Sequence, residues 1–240
     1  MMVMLGEGRT LSFLASFSRF CFVFMLWMLV LIKEARLGAI TRGLKRAFRF
    51  AFILFIMSEV VFFGSFFWGF FTFSLVPTIE IGRAWPQVGI FVIYGFGVPL
   101  LNTVILLSSG VRVTWAHKNI LHYKSAALPL RITLILGVVF LFIQISEYIR
   151  ASFSISDGVY GSIFFLLTGF HGFHVFVGCC MLLACLTRAR RFSRRRHVGF
   201  ECAAWYWHFV DVVWLFLFSF VYLWSKGILS CLSELIGSLW

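Results

Sequence analysis

Charge is what this chain has least of. Only 12% of its 240 residues are Asp, Glu, Lys or Arg, and nine of these are acidic. A soluble domain carries about a quarter charged residues, so a water-facing surface of ordinary size is excluded. No C-x-x-C pair occurs among the six cysteines at 21, 179, 180, 185, 202 and 231. That removes the usual signatures of a disulfide framework and of a thiolate metal site, and leaves small apolar packing residues. There are four prolines, no phosphate-binding loop, no catalytic triad and no paired acid/base constellation.

What is present is apolar. Hydrophobic residues make up 61% of the chain and 32 residues are Phe. Six runs are long enough to cross a bilayer: about 11–32, 47–76, 90–116, 131–149, 158–186 and 203–224. The reading is an all-α, polytopic membrane helical bundle. The run 11–32 lacks a small-residue cleavage site and reads as a retained span rather than a signal peptide. Two units are expected. Residues 1–46 hold the first span and a basic linker, and 47–240 hold a five-helix bundle.

The net charge of +12 invites a nucleic-acid partner, but its distribution argues otherwise. Sixteen of the 21 Lys and Arg fall in the connections after the first, third and fifth runs or at the run ends beside them, including Arg188, Arg190, Arg191 and Arg194 to Arg196. Alternate loops thus differ strongly in basic content, as six spans with both termini on the far side require. No nucleic acid is needed.

Polar groups at depth in a membrane demand a partner or a purpose. Glu59 lies in the second run, His171 and His174 in the fifth, and His208 and Asp211 in the sixth, with Glu201 before them. At about 1.5 Å per residue, Glu59 and His174 both lie roughly 18 Å from the basic side. The two are expected to face each other or share a polar cleft. His208 and Asp211, at i, i+3, share one helix face near the boundary and are expected to satisfy each other. Trp205 and Trp207 suit an interfacial belt. Small residues at 64, 65, 69, 169, 172 and 178 would permit close helix contact. Ser156 and Asp157 suit a helix N-cap. His171 and His174 lack a third ligand, and His117, His122 and His197 read as loop residues, so neither a metal nor a haem is expected on this chain. A proton channel or transporter using Glu59, His171 and His174 as a relay, and a scaffold subunit of another membrane complex, remain open on chemistry alone.

Four stretches go further: FILFIMSEVVFFGSFFWGFF (52–71), VPLLNTVILLSSGVRVTWAH (98–117), SEYIRASFSISDGVYGSIFFLLTGFHGFHVFVG (146–178) and HVGFECAAWYWHFVDVVWLF (197–216). They resemble cytochrome c oxidase subunit III, in order, over residues 45–224, whereas 1–44 match poorly. The resemblance implies a non-catalytic subunit of a haem–copper oxidase that passes electrons from cytochrome c to oxygen and pumps protons. It implies subunits I and II and accessory subunits as partners, with haem a and copper held in subunits I and II. It also implies a V-shaped lipid cleft holding structural phospholipids (cardiolipin, phosphatidylethanolamine or phosphatidylglycerol) and guiding oxygen. Glu59 matches the family's membrane-embedded carbodiimide-reactive glutamate, and His171 and His174 its paired histidines beside Thr168. Arg188 matches an arginine that touches lipid phosphate. A mitochondrial inner-membrane location follows, with basic loops in the matrix and both termini in the intermembrane space. The short length and the many Phe suit a protein made inside the organelle. Three departures stand out. The family has seven spans, so its first helix lacks a counterpart here. Trp85-Pro86-Gln87 replaces a Trp-Pro-Pro, and a histidine is absent around Thr72–Ser74.

Overall fold

A computed structural model describes residues 41–79, 82–87, 89–189, 192 and 197–225, with scattered helical positions between 11 and 33. Among the described residues the secondary structure is helical, without strands. Among the described residues, five helices are long and apolar enough to cross a membrane. They are α1 (Arg42–Leu75), α2 (Val98–Leu121), α3 (Ala127–Arg150), α4 (Val159–Thr187) and α5 (Val198–Phe216), the last continuing as π-helix through Leu217–Trp224. As a continuous span, the expected first crossing lies outside the described residues. The chain divides into a compact unit at 1–51 and a second at 52–240, and α1 runs through the boundary.

In the first unit Thr41 starts α1. Its hydroxyl accepts the N–H of Leu44 at 3.3 Å, and its carbonyl accepts that of Lys45 at 3.1 Å. This is an ordinary N-cap arrangement.

In the second unit α2, α3, α4 and α5 pack in a ring, each against its sequence neighbour, with α2 and α5 closing it. α5 is the most buried crossing. Its large side chains Trp207 and Trp214 are wholly enclosed. Their indole N–H groups donate to Ser109 Oγ at 2.8 Å and Thr103 Oγ1 at 2.9 Å on α2. An amphipathic ring in a dry core needs such a partner. Trp207 is therefore a core residue, not part of an interfacial belt.

Glycines make the close approaches. A Cβ on Gly137 would fall 2.7 Å from the Trp207 ring, and one on Gly178 would fall 2.9 Å from it. At Gly110 it would overlap Asp211. The small residues expected to serve this purpose mostly do not: nothing lies within 4 Å of such a Cβ at Gly64, Gly69 or Gly172. Sequence spacing identifies small residues but not which of them face a bulky ring.

Helix ends also differ from expectation. The apolar run 90–97 is not helical, and α2 begins at Val98 with Pro99 in its first turn, where a missing N–H costs nothing. Gly95 packs against Leu223 at the end of α5. Gly158, at φ 104°, precedes α4. Asp157 accepts the N–H of Ser154 at 2.7 Å and so shapes the turn before the helix instead of capping it.

Residues 52–75 of α1 stand apart from the ring. Only Phe63 and Phe70 on that helix are buried. Aromatic edges bridge the distance: Phe62 to Phe170 on α4 at 5.1 Å between ring centroids, and Phe63 to Phe209 on α5 at 6.1 Å. Large apolar side chains such as Val61, Trp68, Phe142 and Phe173 are more than half exposed. Their solvent is lipid or protein.

Candidate functional site

The polar centre of the second unit joins α1 to α4. His174 donates Nδ1–H to the carbonyl of Phe170, one turn earlier, at 2.6 Å. That bond fixes the ring so that Nε2 points at α1. Glu59 Oε2 meets it at 2.9 Å. Phe63 lies 5.0 Å and Tyr206 6.2 Å from the imidazole, so the pair is set among aromatic rings. One proton lies between Glu59 and His174, because a carboxyl and a ring nitrogen at this distance share a hydrogen bond in either direction.

His171 does not join them. It is fully enclosed and donates Nε2–H to the carbonyl of Val210 on α5 at 3.2 Å. Its ring packs on Trp214 at 5.1 Å and Phe140 at 5.6 Å. Three residues along a helix turn a side chain by about 300°, enough to send His171 to α5 and His174 to α1. Thr168 bonds elsewhere too. Its hydroxyl donates to the Phe164 carbonyl at 2.6 Å and pairs with the Tyr148 hydroxyl.

Beside the Glu59–His174 pair, the stand-off of α1 leaves an apolar cavity of about 330 Å³. Val60, Gly64 and Phe67 line it from α1, and Val212 and Phe216 from α5. Among the described residues its wall offers no hydrogen-bonding side chain. It can hold hydrocarbon or a small apolar gas, but no polar ligand.

Arg188 closes α4. Its backbone N–H donates to Cys185 at 3.1 Å, and its side-chain Nε is shielded from solvent with no hydrogen-bond partner among the described residues. An enclosed guanidinium nitrogen calls for an anionic or carbonyl oxygen.

The boundary group separates into two pairs. His208 Nδ1 lies 3.7 Å from Asp211 Oδ2, too long for a hydrogen bond, and His208 Nε2 reaches Thr114 Oγ1 at 3.4 Å. Asp211 Oδ1 is enclosed and unpartnered among the described residues. The expected mutual satisfaction is thus loose. Glu201 turns instead to His197, one turn earlier, at 3.0 Å. His117 is not a loop residue: it lies on α2 and faces His197 with ring centroids 5.5 Å apart.

A buried polar network lies apart from every residue that the sequence motifs single out. Asn102 Nδ2 donates to Gln144 Oε1 at 3.3 Å, Gln144 Nε2 to the Tyr222 hydroxyl at 3.3 Å, and that hydroxyl to Glu147 Oε1 at 2.7 Å. It ties α2, α3 and the π-helical end of α5 together. Gln144 and Glu147, three apart in an apolar run, were the available signal.

Comparison with known proteins gives a coherent match. The family model for cytochrome c oxidase subunit III matches residues 1–226. The likeness therefore extends through the N-terminal residues that the motifs alone left unmatched. Cytochrome c oxidase subunit 3 of Prototheca wickerhamii is 48% identical over 224 residues, covering 92% of this chain and 85% of that protein. The protein of the same name from Triticum aestivum is 52% identical over 207 residues, covering 85% and 78%. That of Drosophila melanogaster is 53% identical over 191 residues, covering 78% and 71%.

Proposed function

The chain belongs to the cytochrome c oxidase subunit III family, and from that premise we propose that it serves as a non-catalytic core subunit of the respiratory oxidase. It packs on subunit I, with subunit II and accessory subunits alongside. Electrons from cytochrome c reach oxygen on haem a and copper held by those partners, with coupled proton pumping. Its place is the mitochondrial inner membrane, with basic loops towards the matrix and both termini towards the intermembrane space.

Its own chemistry in this reading is to hold lipid. The observation that carries it is the apolar cavity between α1 and α5, about 330 Å³, beside a helix that gives little of its surface to protein. An acyl chain of a phospholipid such as cardiolipin, phosphatidylethanolamine or phosphatidylglycerol fills it, and oxygen partitions into the same space. Arg188, with its shielded Nε, offers the charge for a lipid phosphate. Glu59 and His174 pin α1 across the cleft.

The test is purification. A tag on this chain should bring down a complex with haem a absorbance and bound phospholipid. Recovery of the chain without haem-bearing protein would overturn the reading. So would steady proton conduction by the chain alone in liposomes, which the relay alternative requires. The divergent directions of His171 and His174 argue against that relay.

A further inference from the structure

Three donor side chains from two helices meet at the end of α2 and the start of α5. His117 lies four residues before the end of α2, His197 is the N-cap of α5, and Glu201 follows one turn later. One ligand atom of each lies within 4.8 Å of the others. His197 Nε2 and Glu201 Oε1 are 3.0 Å apart, on one helix face at i, i+4. His197 is buried, and Nε2 of His117 is shut from solvent with no hydrogen-bond partner among the described residues. An enclosed ring nitrogen is unfavourable unless a partner beyond these described contacts completes it. Phe200 packs 5.8 Å from the His117 ring and Phe192 lies against Phe200, so apolar walls flank the cluster.

The geometry points to a divalent-cation site formed by His117, His197 and Glu201. Two imidazole nitrogens and one carboxylate oxygen are a zinc-type donor set, with water in the fourth position. Zinc bonds of about 2.0–2.1 Å place tetrahedral ligands about 3.3 Å apart. His197 and Glu201 already stand near that spacing. A side-chain rotation of His117 supplies the remaining contraction. The ion joins two helices about 80 residues apart in sequence and performs no redox step. The site is separate from the Glu59–His174 pair and rests on no part of the oxidase reading.

Full-length chain in lipid nanodiscs, stripped with a chelator, is titrated with Zn²⁺ by calorimetry and with Co²⁺ by visible absorbance. Wild type should bind one equivalent and give the intense absorbance of tetrahedral cobalt. Second-sphere changes alone weaken metal sites by about 10–100-fold, so His117→Asn and Glu201→Gln should each lose at least that much. His117→Cys, which restores a ligand, should recover the tetrahedral band. His122→Asn, at an exposed imidazole five residues away, should bind as wild type does. Zinc should raise the melting temperature of wild type and not that of Glu201→Gln. Circular dichroism checks the fold of each variant; if His117→Asn loses helix, Glu201→Gln and His117→Cys decide. The absence of a saturable tetrahedral band in wild type overturns the site. So does equal affinity in Glu201→Gln, or loss of binding in His122→Asn.

Discussion

Glu59 and His174 stand 115 residues apart in sequence and 2.9 Å apart in space, and His174 reaches that position only because its other ring nitrogen is fastened to the Phe170 carbonyl at 2.6 Å. The bond to its own helix sets the direction, and the bond across the gap uses it.

Replacing Glu59 should separate two effects. In Glu59→Gln an amide N–H still donates to Nε2, so heat stability and the haem spectrum of the purified complex should change little. In Glu59→Leu the buried imidazole loses its partner, at a cost of about 1–3 kcal/mol. Thermal melts of both variants in the complex provide the comparison. Equal melting temperatures for Leu and wild type would show that the pair holds nothing.

Filling the cleft should displace its contents. Gly64 lines the cavity, and a Cβ there meets nothing within 4 Å. Gly64→Leu should fold normally and retain less phospholipid, measured by native mass spectrometry after mild delipidation. Unchanged lipid content would remove this cavity as the binding place.

The two glycine classes should respond oppositely. Gly110→Ala drives a methyl into Asp211, and overpacking of this kind costs about 1–3 kcal/mol. Gly172→Ala meets open space and should be neutral or slightly stabilising, since alanine favours helix. Paired thermal melts decide between them.

Removing one hydroxyl should disturb three elements. Tyr222→Phe takes the only donor from Glu147 Oε1 and the acceptor from Gln144 Nε2 among the described contacts. A loss of about 1–3 kcal/mol is expected, because buried polar groups then stand unpaired. Tyr222→Phe combined with Glu147→Leu should recover part of it. Hydrogen exchange near the end of α5 is the readout.

The five described crossings were legible because apolar runs of about 20 residues have few alternatives in a chain with so little charge. Equal depth was enough to bring Glu59 to His174, because two helices starting from one face keep a common ruler of 1.5 Å per residue. Rotation about the helix axis was not legible. It sends His171 to Val210, Glu201 to His197 and Trp207 into the core, and none of these follows from depth. Nor did composition reveal that the apolar run 90–97 turns before α2, where Gly95 and Pro99 override hydrophobicity. The Tyr222 network stayed hidden for a related reason, since it depends on the pitch of the last turns of α5.

That pitch carries its own consequence. Over Leu217–Trp224 the winding is wider than in the rest of α5, which accommodates an extra residue per turn. Each residue of a regular helix advances the side-chain direction by about 100°. Winding 217–224 as a regular helix with every residue kept would swing Tyr222 off Glu147 and Val221 off the Tyr160 hydroxyl. Here local regularity and native connectivity are in opposition, and the bundle keeps the surplus residue as the spacer that brings its final turn into phase.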